Sequence, residues 1–394
     1  MIAGDVTAHP ILIVGAGIGG LTAALALAQA GHRVMVAEQA AVLGDVGAGL
    51  TLPPNATRAL AGLGLIDDLA RICSMPRDQA VRHWQDGRTL KAFRRGDETV
   101  ERYGAPYYQV HRADLHALLA SALAAAAPDS VLLSHTLNRC DTRADGVVAD
   151  FQNGNRITAS ALIGADGVRS VVRGCLVGHR DPDFAGHVAW RGLVPRAVLG
   201  HRDLDPPSSV HIGPQRLFAR YLVRGGRLIN YVALMRTTAW ARESWSARSS
   251  VDEVLAAFEG WYGEVIDILG ATPPDACYKW GLFVRAPLER WTRGRITLLG
   301  DAAHPMLPFM GQGAAMAIED GVVLGRAIAA SGDISEGLVR YERARRPRAD
   351  FVQSESDQQG VRFLDDDQNG FGQRPTRNEE TLGLFDYDAS AVPV

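Results

Sequence analysis

The sequence predicts an α/β fold in which a parallel βαβ unit is interleaved with a mostly antiparallel sheet, and in which helices follow at the C-terminal end. The first observation is the stretch 11–38, where a strand, a glycine-rich turn, a helix and a second strand follow one another. The second is the stretch 184–284, where aromatic and β-branched residues dominate. The third is the stretch 295–345, where an apolar strand returns before two helical segments.

The first strand of the βαβ unit is the apolar run 11–14, which is typical of a buried parallel strand. Gly15, Gly17 and Gly20 follow it in the pattern G-x-G-x-x-G. Gly15 allows the tight turn, Gly17 lets a pyrophosphate touch the backbone, and Gly20 lets helix and strand pack closely. The phosphates would meet the free N–H groups and the positive end of the helix dipole.

The second strand, 34–37, ends on Glu38, where a carboxylate can accept hydrogen bonds from a ribose. A glycine triplet alone is a weak signal, because many βα turns that bind no ligand contain one. Strand, triplet, helix, second strand and terminal acid occur here in order, and this order favours dinucleotide binding. It does not distinguish FAD from NAD.

The composition excludes several classes of partner. The chain has 394 residues, a net charge of −3 and no basic tract, so neither nucleic acid nor an anionic membrane surface is indicated. The apolar N-terminal segment is broken by glycines, so neither a signal peptide nor a membrane span is expected. No CxxC pair occurs, and no metal is expected. The four cysteines are far apart in the sequence, which fits reduced thiols in a cytoplasmic protein best; they are Cys73, Cys140, Cys175 and Cys277.

The next part of the chain suggests a sheet inserted into the βαβ unit. The glycine-rich loop 44–51 could lie along a cofactor ring or be a plain loop. Strand-like patterns cover 81–93 and 103–110, with turn residues between them. A helix is predicted over 111–119, with Arg112 near its start, where it could serve a ligand or form a surface salt bridge.

A second glycine turn follows in the middle of the chain. The strands 146–151 and 156–159 flank an Asn-Gly hairpin turn. The strand 161–163 then enters GADGVRS at 164–170, another place where phosphates could meet a helix start. Helical spacing of apolar residues predicts one helix over 251–269.

The last buried strand runs into the motif GDAAHPMLPFMGQG at 300–313. A long helix is predicted over 314–330, and a second helix, 337–345, is expected to end at Pro347. Beyond residue 360 the chain is a polar tail, which the segment 385–387 is expected to dock.

Three separated motifs, GAGIGG with Glu38, GADGVRS and GDAAHPMLPFMGQG, together resemble the single-component flavoprotein aromatic hydroxylases built on the 4-hydroxybenzoate hydroxylase fold. The likeness extends to about residue 350. The stretches GAGLTLPPNATRAL, RYGAPYYQVHRADLHALL and YLVRGGRLINYV look most like the salicylate, 3-hydroxybenzoate and 6-hydroxynicotinate hydroxylase branch.

The resemblance implies a Rossmann-like FAD-binding domain interleaved with a mostly antiparallel substrate domain, and FAD held without a covalent bond. In this interpretation the glycine triplet holds the pyrophosphate, Glu38 the adenosine ribose and Asp301 the ribityl hydroxyls. Helix N–H groups after Gly311 would face the flavin N1/O2 edge, where negative charge develops on reduction. The cofactor-binding residues implied are Gly15, Gly17, Gly20, Glu38, Gln39, Gly47, Ala48, Arg112, Leu137, Asp166, Asp301, Gly311, Gly313 and Ala314.

The domain organisation expected from the resemblance alternates along the chain. The FAD-binding parts are 1–80, 111–180 and, together with C-terminal helices, 286–360. The substrate domain takes 81–110 and 181–285, and the polar tail is 361–394.

Four residues are expected to face the substrate: Thr51, His211, Tyr221 and Pro308. Thr51 stands where the hydroxynicotinate enzymes carry a histidine base, and threonine cannot act as a base at neutral pH. Leu217 likewise replaces a histidine, whereas Tyr221 matches the site tyrosine and shares a strand face with Leu217 by the two-residue period. His211 either faces the pocket or is a structural histidine.

The resemblance implies a monooxygenase that consumes NADH or NADPH and O₂ and hydroxylates a phenolic or hydroxy-heteroaromatic acid through a C4a-hydroperoxyflavin. A carboxylate on the attacked carbon would leave as CO₂. A flavin oxidase or dehydrogenase without oxygen insertion is the alternative enzyme, and a ligand-sequestering flavoprotein is the non-catalytic one. The protein would be a monomer or homodimer whose partner is a small aromatic substrate.

Overall fold

The computed structural model describes residues 9–44, 47–144, 146–200, 202–238 and 248–394. Within these residues the strands are β1 Ile11–Val14, β2 Val34–Ala37, β3 Gly49–Leu52, β4 Asp78–His83, β5 Thr89–Arg94, β6 Tyr108–His111, β7 Val131–Leu132, β8 Leu137–Arg143, β9 Gly146–Phe151, β10 Arg156–Ala159, β11 Ala161–Gly164, β12 Asp183–Pro195, β13 Ser208–Gly213, β14 Arg216–Val223, β15 Leu228–Arg236, β16 Tyr278–Val284 and β17 Ile296–Leu298. The helices are α1 Ile18–Gln29, α2 Pro54–Gly62, α3 Ile66–Ile72, α4 Asp97–Tyr103, α5 Arg112–Ala126, α6 Val171–Val177, α7 Val251–Ala257, α8 Gly263–Gly270, α9 Gly313–Ala329, α10 Ile334–Phe363 and α11 Gln368–Gln373.

A five-stranded parallel sheet carries the three motifs. Its order is β17-β11-β1-β2-β7, so the strands that precede the three glycine-containing turns, β1, β11 and β17, lie side by side. All twelve residues of β1, β2 and β11 except Met35 are buried, which explains their continuous apolar sequence. The turns that follow these strands therefore meet at one edge of the sheet, the usual place for a ligand in such folds.

The second large sheet has seven strands, in the order β16-β12-β15-β14-β13-β4-β5. Its neighbours are antiparallel except for the parallel pair β13 and β4. Helices α7 and α8 cover one face through an apolar cluster around Phe218 and Phe258. The predicted fold class, a parallel α/β unit interleaved with a mostly antiparallel sheet and followed by C-terminal helices, is confirmed.

The strand expected over 103–110 is largely wrong. Residues 97–103 form the helix α4, and β6 begins only at Tyr108 and pairs with β3 in a separate two-stranded sheet. Two acidic residues in the first turn and Gly104 in the left-handed conformation at its end stabilise this helix. A further strand, β8, was not predicted, and it forms a three-stranded sheet with β9 and β10.

The single helix expected over 251–269 is two helices, α7 and α8. Gly260 has a φ of +78°, which breaks the helix, and the buried Trp261 fills the corner between the two parts. The apolar spacing on either side is real, since both helices bury their apolar faces against the sheet.

The helix expected to end at Pro347 instead continues through it as α10, which is 30 residues long. Pro347 is exposed, so the carbonyl that loses its partner can face water. The other side of the helix is held by buried residues before and after the proline, including Arg345, Ala349 and Val352.

The C-terminal segment packs onto the rest of the protein, and the predicted docking through residues 385–387 is confirmed. Phe385 is fully buried, and its ring meets the edge of the Tyr103 ring at a centroid distance of 5.3 Å. Arg58 donates to the carbonyl oxygens of Phe385 and Tyr387. Among the described residues, no helix combines the length and hydropathy needed to cross a bilayer.

Candidate cofactor and substrate site

The glycine triplet forms a compact turn with room on one side. Gly15 has a φ of +104°, and a Cβ there would lie 2.4 Å from the Ala165 carbonyl oxygen. A Cβ on Gly20 would lie 2.0 Å from the Gly15 oxygen. At Gly17, which caps the start of α1, a Cβ would meet no atom within 4 Å. Gly15 and Gly20 therefore serve packing, while open space for a phosphate lies at Gly17.

Glu38 closes this turn from the end of β2. Its two carboxylate oxygens accept from the N–H groups of Ala16 and Ala40 at 2.8 and 2.9 Å. Each carboxylate oxygen has a second lone pair, so ribose hydroxyls can still bind there. Gln39 follows at the surface. The Leu137 side chain, in contrast, is buried in the core at the start of β8, so only its main chain is left to contact a cofactor.

Asp166 shapes the second turn. Its carboxylate accepts from the N–H groups of Val171 and Val172 at the start of α6 and from the Ser170 hydroxyl. Burial raises the pKa of Asp166, although these hydrogen bonds oppose the shift. The first two motifs touch, because Gly15 packs directly on the backbone of Ala165.

The loop before β3 connects the cofactor side to the seven-stranded sheet. Residues 45 and 46 of the predicted flavin loop lie outside the described residues. Gly47 sits against the His111 ring, and the Arg112 N–H donates to the Ala48 oxygen at 2.7 Å. The Gly49 N–H donates to Asn230 at 2.6 Å. His111 and Asn230 were not among the predicted site residues, because only the folded chain brings them to this loop.

Asp301 and Arg112 are close enough to interact electrostatically. The Asp301 side chain is exposed, yet surrounding protein atoms limit its hydration and raise the pKa of Asp301. Electrostatic interactions with His304 and Arg112 oppose that rise in the pKa of Asp301. A carboxylate in this position can accept hydrogen bonds from the hydroxyls of a bound polyol chain.

Replacing Asp301 with alanine should weaken FAD binding by roughly 10- to 150-fold, since a charge-assisted hydrogen bond is lost. Titration of the apoprotein with FAD, followed by flavin fluorescence, measures the change. Asp67→Ala, an exposed aspartate in the first turn of α3, is the matched control. Unchanged FAD affinity in Asp301→Ala would remove this residue from the cofactor site.

The third motif ends at an open helix start. Helix α9 has 17 residues, begins at Gly313 and has no side chain capping its first turn, so the N–H groups of Gly313 and Ala314 are available to a ligand. Gly311, with a φ of +61°, donates its N–H to the Pro308 oxygen at 3.1 Å. Thr51 lies directly beside this turn, with its hydroxyl 3.4 Å from the Gly311 oxygen.

A buried ionic network braces this motif from behind. Asp320 accepts from Arg345 at 2.7 Å and from the Gly300 N–H at 3.0 Å, and its other contact is the His304 ring at 2.6 Å. Arg345 also pairs with Glu319 at 2.6 Å. Burial alone raises the pKa of Asp320, but His304 and Arg345 together hold it at about 2. The one sequence signal for this network is the acid pair within the largely apolar helix α9.

Three hydroxyl groups meet on the substrate side. Tyr107 forms a hydrogen bond with Thr51 and lies close to Tyr221. Burial raises the pKa of Tyr107 to about 12 and that of Tyr221 further above its usual value, so both phenols are neutral donors at pH 7. The Tyr221 ring lies under Gly49 of the predicted flavin loop, where a Cβ would come within 2.4 Å of it. Tyr107 was not predicted to belong to this group.

The sheet face below these hydroxyls is apolar. In β14, Leu217, Ala219 and Tyr221 pair with Leu234, Val232 and Asn230 of β15, so they share one face. Leu217 joins an apolar cluster with Phe309, which follows Pro308 in the third motif.

His211 does not belong to this face, which corrects its assignment to the site. It pairs with Phe218 across β13 and β14, on the face covered by α7 and α8, and its ring stacks on Tyr262 at 5.9 Å. Burial, with smaller contributions from Arg220 and Arg82, lowers the pKa of His211 to about 3. A neutral, fully buried ring on the far side of the sheet cannot serve the substrate.

The arrangement fits a flavin dinucleotide. Open space at Gly17 beside a helix start suits a pyrophosphate, the Glu38 carboxylate suits a ribose, and the Asp301 carboxylate suits a polyol. The uncapped start of α9 then suits the electron-rich edge of a ring system next to Thr51.

Comparison with known proteins agrees with this geometry. The family model described as "FAD binding domain" matches residues 8–356. The chain is 40% identical over 354 residues to 3-amino-4-hydroxybenzoate 2-monooxygenase PtmB3 of Streptomyces platensis, covering 90% of this chain and 88% of that protein. It is 38% identical over 390 residues to 6-hydroxynicotinate 3-monooxygenase of Pseudomonas fluorescens, covering 98% and 96%. The crystal structure of Klebsiella pneumoniae HpxO complexed with FAD and uric acid superposes with a TM-score of 0.84 at 28% identity, covering 96% of this chain and 97% of that chain.

Proposed function

Since the chain belongs to the FAD binding domain family and is an FAD-dependent aromatic monooxygenase that takes electrons from NAD(P)H, we propose that it hydroxylates a phenolic or hydroxy-heteroaromatic acid. Aminohydroxybenzoates, hydroxybenzoates and hydroxynicotinates form this substrate class. The observation that carries the proposal is the meeting of Thr51, Tyr107 and Tyr221 above an apolar sheet face at the edge of the flavin loop.

The residues of this pocket suit a flat acid with one polar edge. The hydroxyls of Tyr107 and Tyr221 are neutral donors, so they can bind a carboxylate or phenolate without a change in their own charge. Leu217 and Ala219 offer an apolar wall to the ring. The hydroxyl donors would thus orient the ring while the wall excludes water from it.

Bound FAD supplies O₂ activation with electrons from NAD(P)H. The N–H groups at the start of α9 favour negative charge at the adjacent edge of the cofactor. Because Thr51 cannot accept a proton at neutral pH, we propose that the phenol ionises by donating to solvent or through the hydroxyl chain of Thr51 and Tyr107.

A substrate panel tests the proposal. Purified holoenzyme is assayed for NADH and NADPH oxidation with 3-amino-4-hydroxybenzoate, 3-hydroxybenzoate, 4-hydroxybenzoate, salicylate and 6-hydroxynicotinate. Products are identified by mass spectrometry, and peroxide and CO₂ are measured in parallel. We expect at least one acid to accelerate NAD(P)H oxidation and to gain one oxygen atom. Peroxide without an oxygenated product for every acid would contradict the substrate class.

The same panel distinguishes the alternatives. A flavin oxidase or dehydrogenase would convert its substrate without NAD(P)H. A ligand-sequestering flavoprotein would bind an acid, seen as a shift in the flavin spectrum, without accelerating NAD(P)H oxidation.

Tyr221→Phe should lower kcat/KM for the accepted acid by roughly 5- to 150-fold, because a buried anionic group loses its donor. FAD content and flavin reduction without substrate should not change, since the ring and its packing under Gly49 are retained. Tyr231→Phe, a buried tyrosine on the opposite sheet face, is the matched control. A variant that hydroxylates and couples like the parent would exclude Tyr221 from the site.

We further propose a cytoplasmic enzyme that is a monomer or homodimer, with a substrate domain formed by 81–110 and 181–285. The common sheet of β4, β5 and β12–β16 supports this division. The four cysteines, all free, fit a reducing compartment. Sedimentation analysis would determine the oligomeric state.

A further inference from the structure

Two cysteines that are far apart in the sequence meet in one cavity away from the cofactor motifs. Cys140 lies on β8 and Cys175 on α6, and the two elements pack together. Both residues line a cavity of about 490 Å³, together with Arg139, Asp141 and Arg293. The Arg293 guanidinium donates to the Cys175 carbonyl oxygen at 3.0 Å, which holds this end of α6 in place.

The two thiols differ in exposure. Cys140 is 5% exposed, whereas Cys175 is partly open to the cavity. The thiol and the main-chain N–H of Cys140 both hydrogen-bond to the Cys175 sulfur. These contacts lower the pKa of Cys175 to about 6, although burial, Asp141 and Asp166 oppose the shift. Hydrogen bonding to Cys175 and burial raise the pKa of Cys140.

The roles of the two sulfurs follow from this arrangement. Thiolates, not thiols, attack peroxides, so the partly exposed Cys175 is the nucleophile. The buried Cys140 thiol lies beside Cys175 and can react with the oxidised Cys175 sulfur to form a disulfide. The other cysteines lack such a partner sulfur in the described structure, and burial raises the pKa of Cys73 to about 12.

We propose that Cys140 and Cys175 form a peroxide-reactive dithiol site that closes to a disulfide between β8 and α6. The Cys175 thiolate attacks one oxygen of H₂O₂, the O–O bond breaks, and sulfenic acid and hydroxide result. The Cys140 thiol then attacks the sulfenic sulfur, an S–S bond forms and water leaves. In total, two thiols and one H₂O₂ give one disulfide and two waters, so sulfur is oxidised and peroxide reduced.

The oxidant can come from the enzyme itself. A flavin monooxygenase that is reduced by NAD(P)H without hydroxylating a substrate releases H₂O₂, so the in situ source rests on the proposed function. The reactivity of the thiol pair does not rest on it, because H₂O₂ can be added directly. The two origins of peroxide can therefore be tested separately.

The first experiment treats the full-length holoenzyme with H₂O₂, added in a few-fold excess. Free thiols are counted after denaturation, and peptides are mapped before and after reduction. We expect the loss of two of the four thiols, their recovery with dithiothreitol, and a peptide pair joined through Cys140 and Cys175. Loss of other thiols with no such cross-linked pair would overturn the proposal.

Variants then assign the roles. Cys140→Ser should leave a sulfenic acid on Cys175 that dimedone traps, and Cys175→Ser should abolish the thiol loss. Cys73→Ser, the matched control, should still form the cross-link. In the wild type, iodoacetamide should label Cys175 at pH 7 at least tenfold faster than Cys73. FAD content confirms that each variant is folded, and equal peroxide sensitivity of Cys175→Ser and the wild type would overturn the assignment.

In a final experiment, the holoenzyme receives NAD(P)H and O₂ but no aromatic acid, in the presence or absence of catalase. We expect the same cross-link, suppressed by catalase. If added H₂O₂ forms the disulfide but NAD(P)H does not, the dithiol site stands and its supply by uncoupled turnover is refuted.

Discussion

Replacing Arg345 with methionine should lower the free energy of unfolding by about 3–5 kcal/mol, the usual loss when one partner of a buried ion pair is removed. Arg345 is fully buried and contacts the carboxylates of Glu319 and Asp320 at 2.6 and 2.7 Å. Methionine keeps much of the volume, so the expected loss comes from two buried carboxylates that lose a shared cation. Each carboxylate keeps one other partner, Arg348 for Glu319 and His304 for Asp320, and both lose the cation that they share.

Urea unfolding at pH 7, followed by tryptophan fluorescence, measures this loss. Arg343→Ala is the control on the same helix, since its side chain is exposed and its change should stay within about 0.5 kcal/mol. The pH dependence provides a second check. The folded pKa of Asp320, about 2, lies below its ordinary value of 3.8, so its contribution is present above about pH 4 and is lost as the pH falls towards 2. A loss as small as that of the control would contradict the network.

Gly15→Ala should destabilise the fold by about 2–5 kcal/mol, the sum of left-handed backbone strain and overpacking. The φ of Gly15 is +104°, and the added methyl group would lie 2.4 Å from the Ala165 oxygen. Neither the β1 turn nor the second motif can move away easily, because β1 and β11 pair along their full length. The purified variant should also lose FAD.

Two other glycines separate the causes of this effect. Gly31 has a φ of +86° but no atom within 4 Å of an added Cβ, so Gly31→Ala should show the strain alone. Gly17 has an ordinary φ of −70° and the same open space, so Gly17→Ala should keep the stability of the apoprotein and weaken only FAD binding. Equal stability of Gly15→Ala and the wild type, or unchanged FAD affinity of Gly17→Ala, would contradict this division of roles. Thermal unfolding with and without added FAD measures both.

Helix α9 links stability to chemistry. Its first turn leaves the N–H groups of Gly313 and Ala314 available to a ligand, and two turns later it carries Glu319 and Asp320 into the buried network. Asp320 in turn receives the Gly300 N–H, directly before Asp301. The variant Arg345→Met is therefore expected to affect the cofactor site as well as the core.

The sequence by itself determined the parallel unit, the glycine turns and dinucleotide binding, whereas the choice of FAD came from the resemblance of the three separated motifs. These features depend on local requirements: a buried strand needs a continuous apolar run, and Gly15 and Gly20 stand where any Cβ would collide with backbone. The spacing of residues along the sequence is therefore enough to reveal these features. The shared face of Leu217 and Tyr221 follows in the same way from the period of a strand.

Only the tertiary structure decided which of the polar residues meet. His211 and Val210 differ by one position and face opposite sides of a sheet, and nothing local tells which side is covered by α7 and α8. Helix α10 passes through Pro347 because its other face is buried, which spacing around the proline cannot reveal. Tyr107 with Tyr221, Arg345 with Asp320, and Cys140 with Cys175 are each brought together by packing between distant segments. The charge and reactivity of such groups depend on neighbours and burial, and both exist only once the chain has folded.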